Sequence, residues 1–217
     1  MKKNLTELVF IMDRSGSMSG LEEDTIGGFN SFIEKQKREK GECLVSTVLF
    51  NQHSKVIHDR VSLSEIKKMT RDDYLASGTT ALIDALGDGI HHIKTVHRYI
   101  RKEDIPANTI FVIITDGLEN ASHKYTSDEV KKMVEQQKEE GWEFLFLAAN
   151  IDAVETAKHY GISADRATEY CCDEEGIETN FNSLEESISH FRKCGSIAKN
   201  WDAKIRKDYQ SRKANTR

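Results

Sequence analysis

The sequence has few of the residues that mark linkers, disulfide frameworks and membrane spans. It has one proline in 217 residues, Pro106, which argues against a proline-rich linker. Its four cysteines form no CxxC pair and do not combine with histidines at zinc-ligand spacing, which indicates a reducing compartment. No apolar run approaches the roughly 20 residues that cross a bilayer. A composition of 38% hydrophobic and 31% charged residues is typical of a soluble globular protein.

The chain also lacks the signals of export and of nucleic-acid binding. The N-terminal MKKNLTELVF places two lysines before an apolar stretch, but that stretch contains Thr6 and Glu7 and is followed by no small-residue cleavage site. We therefore expect a cytoplasmic protein without a membrane partner. The net charge of −5 argues against nucleic acid, because phosphate contacts need a basic face. Nothing in the sequence indicates an oligomeric state.

Three short apolar runs are present, and they predict buried strands: LVFIM at 8–12, TIFVIIT at 109–115 and FLFLAA at 144–149. Uninterrupted apolar runs of this length suit parallel strands that are buried on both faces. Segments of helical period separate them, so the pattern predicts an α/β fold with helices on both faces of the sheet. Residues 44–50 and 55–61 predict a hairpin at the sheet edge, and 166–172 predicts a last strand.

The C-terminal part predicts a helical extension. We expect the acidic stretch 172–182 to be a loop and a long helix to begin at Ser183, with Gly195 as a weak point. The tail from Lys193 carries eight Lys or Arg against two Asp, which fits a solvated face or an acidic partner. The predicted division is a domain at 1–175 and an extension at 176–217 that packs on the domain or on a partner.

Oxygen-bearing side chains follow two of the apolar runs and begin a predicted helix. The first run ends in DRSGS at 13–17, the second ends at Asp116, and SGTTALIDAL at 77–86 opens the helix. Ligands of parallel α/β sheets bind beyond the carboxyl ends of the strands, so we expect these residues to converge. The candidate ligands supply only oxygen, which hard divalent cations prefer: Asp13, Ser15, Ser17, Thr80 and Asp116. One coordination position would stay open to an incoming acid.

Each of these segments also has an ordinary structural interpretation. Asp13 can cap a helix, with the two serines as turn residues, and Asp116-Gly117 can be a simple turn. Thr79-Thr80 can be a helix cap, and a one-residue shift would exchange the two threonines. The cation site is the interpretation that gives all of these oxygens a shared role.

Together these motifs resemble the von Willebrand factor type A (VWA) family over roughly residues 5–170. DRSGS matches the DxSxS signature of the family, Thr80 before ALIDAL resembles its second-loop threonine, and Asp116 in FVIITDG resembles its third-loop aspartate. The resemblance is to a small stand-alone cytoplasmic member of bacterial or phage type. It implies a doubly wound, Rossmann-like, mostly parallel sheet of about six strands with one antiparallel edge strand and a long C-terminal helix.

The resemblance also implies what the site does. Ser15 and Ser17 would bind Mg²⁺ (or Mn²⁺ or Ca²⁺) directly, and Thr80 and the two aspartates directly or through water. The open position would take an Asp or Glu carboxylate of a partner protein. Five residues are expected to form the partner-binding rim: Arg14, Met18, Asn51, His53 and Glu119.

Two alternatives to a metal-dependent protein-binding module stay open. By analogy with small bacterial members, the chain would be a scaffold or adaptor of an ATPase or stress-response complex that docks through its C-terminal helix. A metal-dependent hydrolase is disfavoured, because DRSGS lacks a second aspartate of the DxD type and no GxxxxGK[ST] loop occurs. No histidine, lysine or cysteine in the motifs is placed as a general base or nucleophile, so we predict that the protein is not an enzyme.

Overall fold

A six-stranded sheet forms the centre of the protein in the computed structural model, which describes residues 1–215. The strands are β1 (Lys2–Asp13), β2 (Glu42–Phe50), β3 (Ser54–Ser62), β4 (Pro106–Thr115), β5 (Glu143–Ala148) and β6 (Ala167–Glu169). Their order in the sheet is β3-β2-β1-β4-β5-β6. β3 pairs with β2 in the antiparallel direction, and the other neighbours are parallel. This architecture confirms the predicted fold class, including the edge hairpin.

Six α-helices lie on the two faces of the sheet within residues 1–215. They are α1 (Glu22–Gln36), α2 (Leu82–Tyr99), α3 (Ser127–Glu139), α4 (Ala153–His159), α5 (Glu174–Cys194) and α6 (Ala203–Asn215). The buried side chains of α1, α5 and α6 pack on one face, and those of α2, α3 and α4 pack on the other. No helix in this part of the chain is long and apolar enough to cross a membrane.

The alternation of side chains along β1 divides the core into two layers. Phe10 points to the side of α1, where its ring meets the edges of Phe29 and Phe32 at centroid distances of 5.4 and 5.3 Å. Ile11, one residue further, points to the side of α2. Because both faces of β1 are covered, the strand needs an uninterrupted apolar run, as its sequence has.

The C-terminal region differs from the prediction in two ways. α5 begins at Glu174, nine residues before the expected start, and Asp173 caps it by accepting the N–H of Gly176 at 2.9 Å. The acidic residues of its first turn favour a helix N-terminus, and Ile177 and Phe181 face the core. The predicted loop at 172–182 is therefore wrong, because most of it is helix.

The expected long helix is also divided in two. Gly195 ends α5 in a left-handed conformation, with φ of 70°. The chain then turns, and Trp201 and Ile205 bury their side chains against the same core layer as α5. Residues 216–217, the end of the predicted basic tail, lie outside the described part. The division of the chain at 175/176 stays a prediction.

Candidate metal site at the carboxyl edge of the sheet

Two carboxylates meet at the edge where β1 and β4 end. Asp13 is the last residue of β1, Asp116 follows β4 directly, and each is only 2% exposed. Strand order reverses between these two neighbours, which is where open α/β sheets bind ligands. The Ser17 hydroxyl donates to Asp116 Oδ1 at 2.7 Å and so joins the two loops.

The loop after β1 turns back on itself so that both of its serines face the site. The N–H of Ser15 donates to Asp13 Oδ1 at 2.7 Å, and the Oγ atoms of Ser15 and Ser17 are 3.1 Å apart. The N–H of Gly16 donates to the Gly78 carbonyl at 2.9 Å, and a Cβ on Gly16 would lie 3.2 Å from that oxygen. Glycine is therefore favoured at this position by a close approach to the segment before Thr80.

Thr80 is the threonine that the fold turns inward. It is 4% exposed, whereas Thr79 is exposed and donates its N–H to Gln52 Oε1 at 3.1 Å. The N–H of Thr80 donates to Asn120 Oδ1 at 2.9 Å, and its carbonyl accepts the N–H of Asn120 at 3.0 Å. Thr80 thus lies between the loop after β4 and the segment that contacts Gly16, which favours it over Thr79.

Two buried tyrosines hold the carboxyl ends of β1 and β4 through hydrogen bonds to their backbone. Tyr74 donates its hydroxyl to the backbone carbonyl of Asp13, and Tyr170 donates to the carbonyl of Thr115 at 3.3 Å. The side chain of Thr115 donates to Asp13 Oδ2 at 2.7 Å. The ends of β1 and β4, which carry the candidate aspartates, are therefore held in place by side chains that no motif in the sequence indicates.

Cys172 is a further neighbour of the site that sequence reasoning missed. Its Sγ lies 3.8 Å from Asp116 Oδ2, as a thiol that donates to the carboxylate. Burial, together with the nearby charge of Asp116, raises the pKa of Cys172 to about 12, so the thiol is protonated at neutral pH. The one available signal was the predicted strand at 166–172, whose carboxyl end falls on the same edge.

The two carboxylates have an electrostatic cost that no side chain offsets. Burial raises the pKa of Asp13 and that of Asp116, and hydrogen bonds only partly counter this effect. Within residues 1–215, the donors to the carboxylates are all uncharged, and they include the Ser15 N–H, the hydroxyls of Ser15, Ser17 and Thr115 and the Cys172 thiol. Buried charges in proteins are normally paired or bound to metal.

The chemistry of this donor set fits a hard cation. Residues 1–215 contain no cluster of three or more His, Cys, Asp or Glu side chains arranged to hold a metal ion. The candidate set instead combines two carboxylates with three hydroxyls, all of them oxygen donors. A divalent cation among them would offset the charge of both aspartates.

The predicted rim residues fall into two groups. Arg14 is half-buried, and His53 is exposed, so both are accessible near the site. Met18 is 2% exposed and packs in the core, so it offers no surface to a partner in this conformation. The same holds for Asn51, which is 3% exposed and donates to the Ser77 carbonyl at 2.9 Å.

Glu119 has an internal role as well. Its carboxylate accepts the N–H groups of Ile83, Ala121 and Ser122 at 2.7–2.9 Å, and so holds the loop after β4 to the start of α2. Partner binding by any of the five rim residues stays a prediction.

Solved structures of several VWA-type proteins resemble this fold. The vWF domain of the type V pili tip protein Mfa5 from Porphyromonas gingivalis has a TM-score of 0.63 at 8% identity, over 91% of this chain and 99% of that one. Manganese-loaded Plasmodium vivax TRAP protein has a TM-score of 0.56 at 16% identity, over 83% and 74%. At these identities the likeness shows the fold alone.

A third similar structure is proximal thread matrix protein 1 (PTMP1) from the mussel byssus with a zinc-occupied MIDAS motif. Its TM-score is 0.58 at 11% identity, over 86% of this chain but only 46% of the mussel protein, so the chain spans about half of that relative. No curated protein matches the sequence. The profile of the von Willebrand factor type A domain matches residues 7–186, which is most of the chain. The chain therefore belongs to the von Willebrand factor type A domain family.

Proposed function

We propose that the protein is a binding module that holds one divalent cation and receives a carboxylate of a partner protein at it. VWA domains generally mediate metal-dependent protein–protein binding. The observation that carries the proposal for this chain is the pair of buried carboxylates contacted only by uncharged donors. The proposed ligands are Asp13, Ser15, Ser17, Thr80 and Asp116.

The coordination number leaves room for an incoming acid. The five proposed ligands are two carboxylates and three neutral hydroxyls, all of them oxygen donors. Magnesium takes about six oxygen ligands, so five side chains leave at least one position for an outside ligand. An Asp or Glu of a partner would complete the coordination sphere. Manganese in TRAP and zinc in PTMP1 support a divalent cation as the class, with Mg²⁺, Mn²⁺ and Ca²⁺ as the candidates here.

Calorimetry with Mg²⁺ and with Mn²⁺ tests the site. We expect wild-type protein to bind the metal with a dissociation constant of about a millimolar or lower, and Asp13→Ala to show no binding heat. Asp72→Ala, which removes an exposed aspartate in another loop, serves as the matched control and should bind like wild type. Equal binding by wild type and Asp13→Ala, both confirmed as folded by circular dichroism, would contradict the proposal.

Partner capture tests the second half of the proposal. Affinity capture from the native cell should recover a protein in magnesium and lose it in chelator or with Asp13→Ala as bait. A partner that is retained under both conditions would show that recognition does not run through the metal.

We propose a cytoplasmic location, with neither nucleic acid nor membrane as the partner, and fractionation of the native cell checks the location.

The proposed role of the site is binding, and it assigns no catalytic group. The nucleophile beside it, Cys172, is held as a protonated thiol. Purified protein should therefore leave p-nitrophenyl phosphate intact with Mg²⁺ or Mn²⁺ present. Metal-dependent turnover that Asp13→Ala abolishes would favour the hydrolase alternative.

A scaffold role for the C-terminal region is the second candidate, and the segment from Lys199 to Lys207 supplies the observation that favours it. Lys199 and Lys207 are exposed, whereas Trp201 and Ile205 anchor this region in the core. Truncation after 183 would remove buried residues of α5 and expose the core that they cover, so charge reversal is the cleaner test. If Lys199→Glu with Lys207→Glu loses the captured partner while metal binding persists, the scaffold role is favoured; retention of the partner argues against it.

A further inference from the structure

Two exposed leucines lie beside the candidate site. Within residues 1–215, six large hydrophobic side chains are strongly exposed: Met1, Val56, Leu75, Tyr99, Leu118 and Val154. Leu75 is 64% exposed and adjoins Tyr74, whose hydroxyl contacts the backbone of Asp13. Leu118 is 66% exposed and lies two residues after Asp116. Leu75 is therefore linked to Asp13 through the hydrogen bond of Tyr74, and Leu118 is linked to Asp116 through the chain.

The leucines belong to loops on opposite sides of the sheet. Tyr74, next to Leu75, packs in the core layer of α1. The loop that carries Leu118 is held to α2 on the other face, because Glu119 accepts the N–H of Ile83 at 2.9 Å. The site at the ends of β1 and β4 thus has one exposed leucine on each side.

Both leucines are presented by backbone that is held in place. Tyr74 is 1% exposed, and its contact with Asp13 fixes the chain just before Leu75. After Leu118, the Glu119 carboxylate accepts three backbone N–H groups, and Asn120 exchanges two hydrogen bonds with Thr80. An apolar group that is already ordered loses little conformational entropy on binding, so its burial contributes more fully to affinity.

Arg14 adds a positive charge at the same place. Its Nη1 lies 3.5 Å from the Leu75 carbonyl, at the limit of a hydrogen bond, and its Nε is buried without a partner. No carboxylate within residues 1–215 forms an ion pair with it. The guanidinium is therefore available to a carboxylate that approaches between the two leucines.

We propose that the module recognises an acidic residue flanked on both sides by apolar residues in an exposed peptide segment. This inference rests on the proposed function, because the acid is the group that would complete the metal site. Leu75 and Leu118 would contact the flanking apolar side chains, and Arg14 would make a second contact with the carboxylate. Single exposed leucines are common on protein surfaces, so the test needs exposed apolar residues elsewhere as controls.

Three capped pentapeptides measured by calorimetry in saturating Mn²⁺ test the proposal. The first has a central aspartate between two leucines, with serine at each end; the second has serine in place of the leucines; the third has asparagine in place of the aspartate. We expect the leucine-flanked acid to bind wild type about tenfold tighter than the serine-flanked acid, which is about 1.4 kcal/mol. The asparagine peptide should not bind.

Matched double variants locate the source of the preference. Leu75→Ser with Leu118→Ser should reduce the advantage of the leucine-flanked peptide to less than about twofold, because the apolar contact area is gone. Val56→Ser with Tyr99→Ser, which removes two exposed apolar side chains outside the site loops, should keep the tenfold advantage. Arg14→Gln should weaken the binding of both acidic peptides by the same factor. Added salt should reduce the difference in affinity between this variant and wild type.

The outcomes separate this inference from the proposed function. Metal-dependent binding of both acidic peptides with equal affinity would overturn the apolar preference and leave the proposed function standing. A preference that survives in the Leu75 and Leu118 double variant would equally overturn it. If neither acidic peptide binds, or if binding is unchanged in Asp13→Ala, the proposed function fails and this inference fails with it.

Discussion

Ionisation of the buried carboxyl groups of Asp13 and Asp116 destabilises the metal-free protein. Burial raises the pKa of each carboxyl above its usual value, so the folded protein holds these protons more tightly than the unfolded chain does. When the pKa of a carboxyl group is higher in the folded protein than in the unfolded chain, the free energy of unfolding falls as the pH rises from the lower of these two values to the higher. A cation that binds both carboxylates would offset this destabilisation at neutral pH.

Asp13→Asn should therefore stabilise the metal-free protein at pH 7 while it abolishes metal binding. The amide can still accept the Ser15 N–H through its oxygen, and its NH₂ can donate to the Thr115 hydroxyl, which can serve as acceptor. Thermal unfolding in chelator should show a higher Tm for Asp13→Asn than for wild type, and only wild type should gain Tm with Mn²⁺.

The pH dependence gives the control for this prediction. The difference in Tm between Asp13→Asn and wild type should shrink as pH falls, and vanish below about pH 3.9, where the carboxyl is protonated in both states. Metal binding by wild type should weaken over the same range, because protons and metal compete for the same oxygens. A variant that is less stable than wild type at pH 7 would contradict the electrostatic explanation.

At the scale of elements, the packing of α5 on α1 depends on one glycine. A Cβ at Gly28 would lie 2.3 Å from Cδ2 of Phe181, whereas a Cβ at the adjacent Gly27 would meet nothing within 4 Å. Phe181 belongs to the stretch that the sequence predicted as a loop, and it is 5% exposed. The contact therefore tests whether α5 packs as part of the core.

Gly28→Ala should lower the free energy of unfolding by about 1–3 kcal/mol, because the new methyl forces Phe181 to move in a filled core. Gly27→Ala is the matched control. It should raise the free energy of unfolding by about 0.5–1 kcal/mol through the better helix propensity of alanine. Urea unfolding of both variants measures these changes. Equal stabilisation by the two substitutions would show that α5 does not pack on α1 at this point.

Some elements were predictable from the sequence and others were not, for physical reasons. β1, β4 and β5 have continuous apolar runs because both of their faces are covered, and such runs are easily recognised. Thr126 and Glu129 form a capping box at the start of α3, and Asp152 caps α4 by accepting the N–H of Glu155. The start of α5 was missed, because its apolar stripe is diluted by acidic residues that in fact suit a helix N-terminus.

At the scale of the whole molecule, the strand order creates the site. β1 and β4 are distant in sequence but adjacent in the sheet, and their carboxyl ends bring Asp13 and Asp116 together. The motif residues were predictable because their spacing relative to the strands is regular. Tyr74 was not, because it reaches the site from a loop whose path is decided by tertiary packing and leaves no local pattern. For Cys172, the strand predicted at 166–172 indicated the sheet edge but not the contact with Asp116.

We propose that the end of β1, the start of α2 and the end of β4 together hold one divalent cation. Anomalous diffraction from crystals grown with manganese tests it most directly. We predict one strong manganese peak within about 2.0–2.6 Å of the oxygens of Ser15 and Ser17, with Asp13, Thr80 and Asp116 bound directly or through water. No peak at this edge in saturating manganese, or a peak only elsewhere on the protein, would contradict the account.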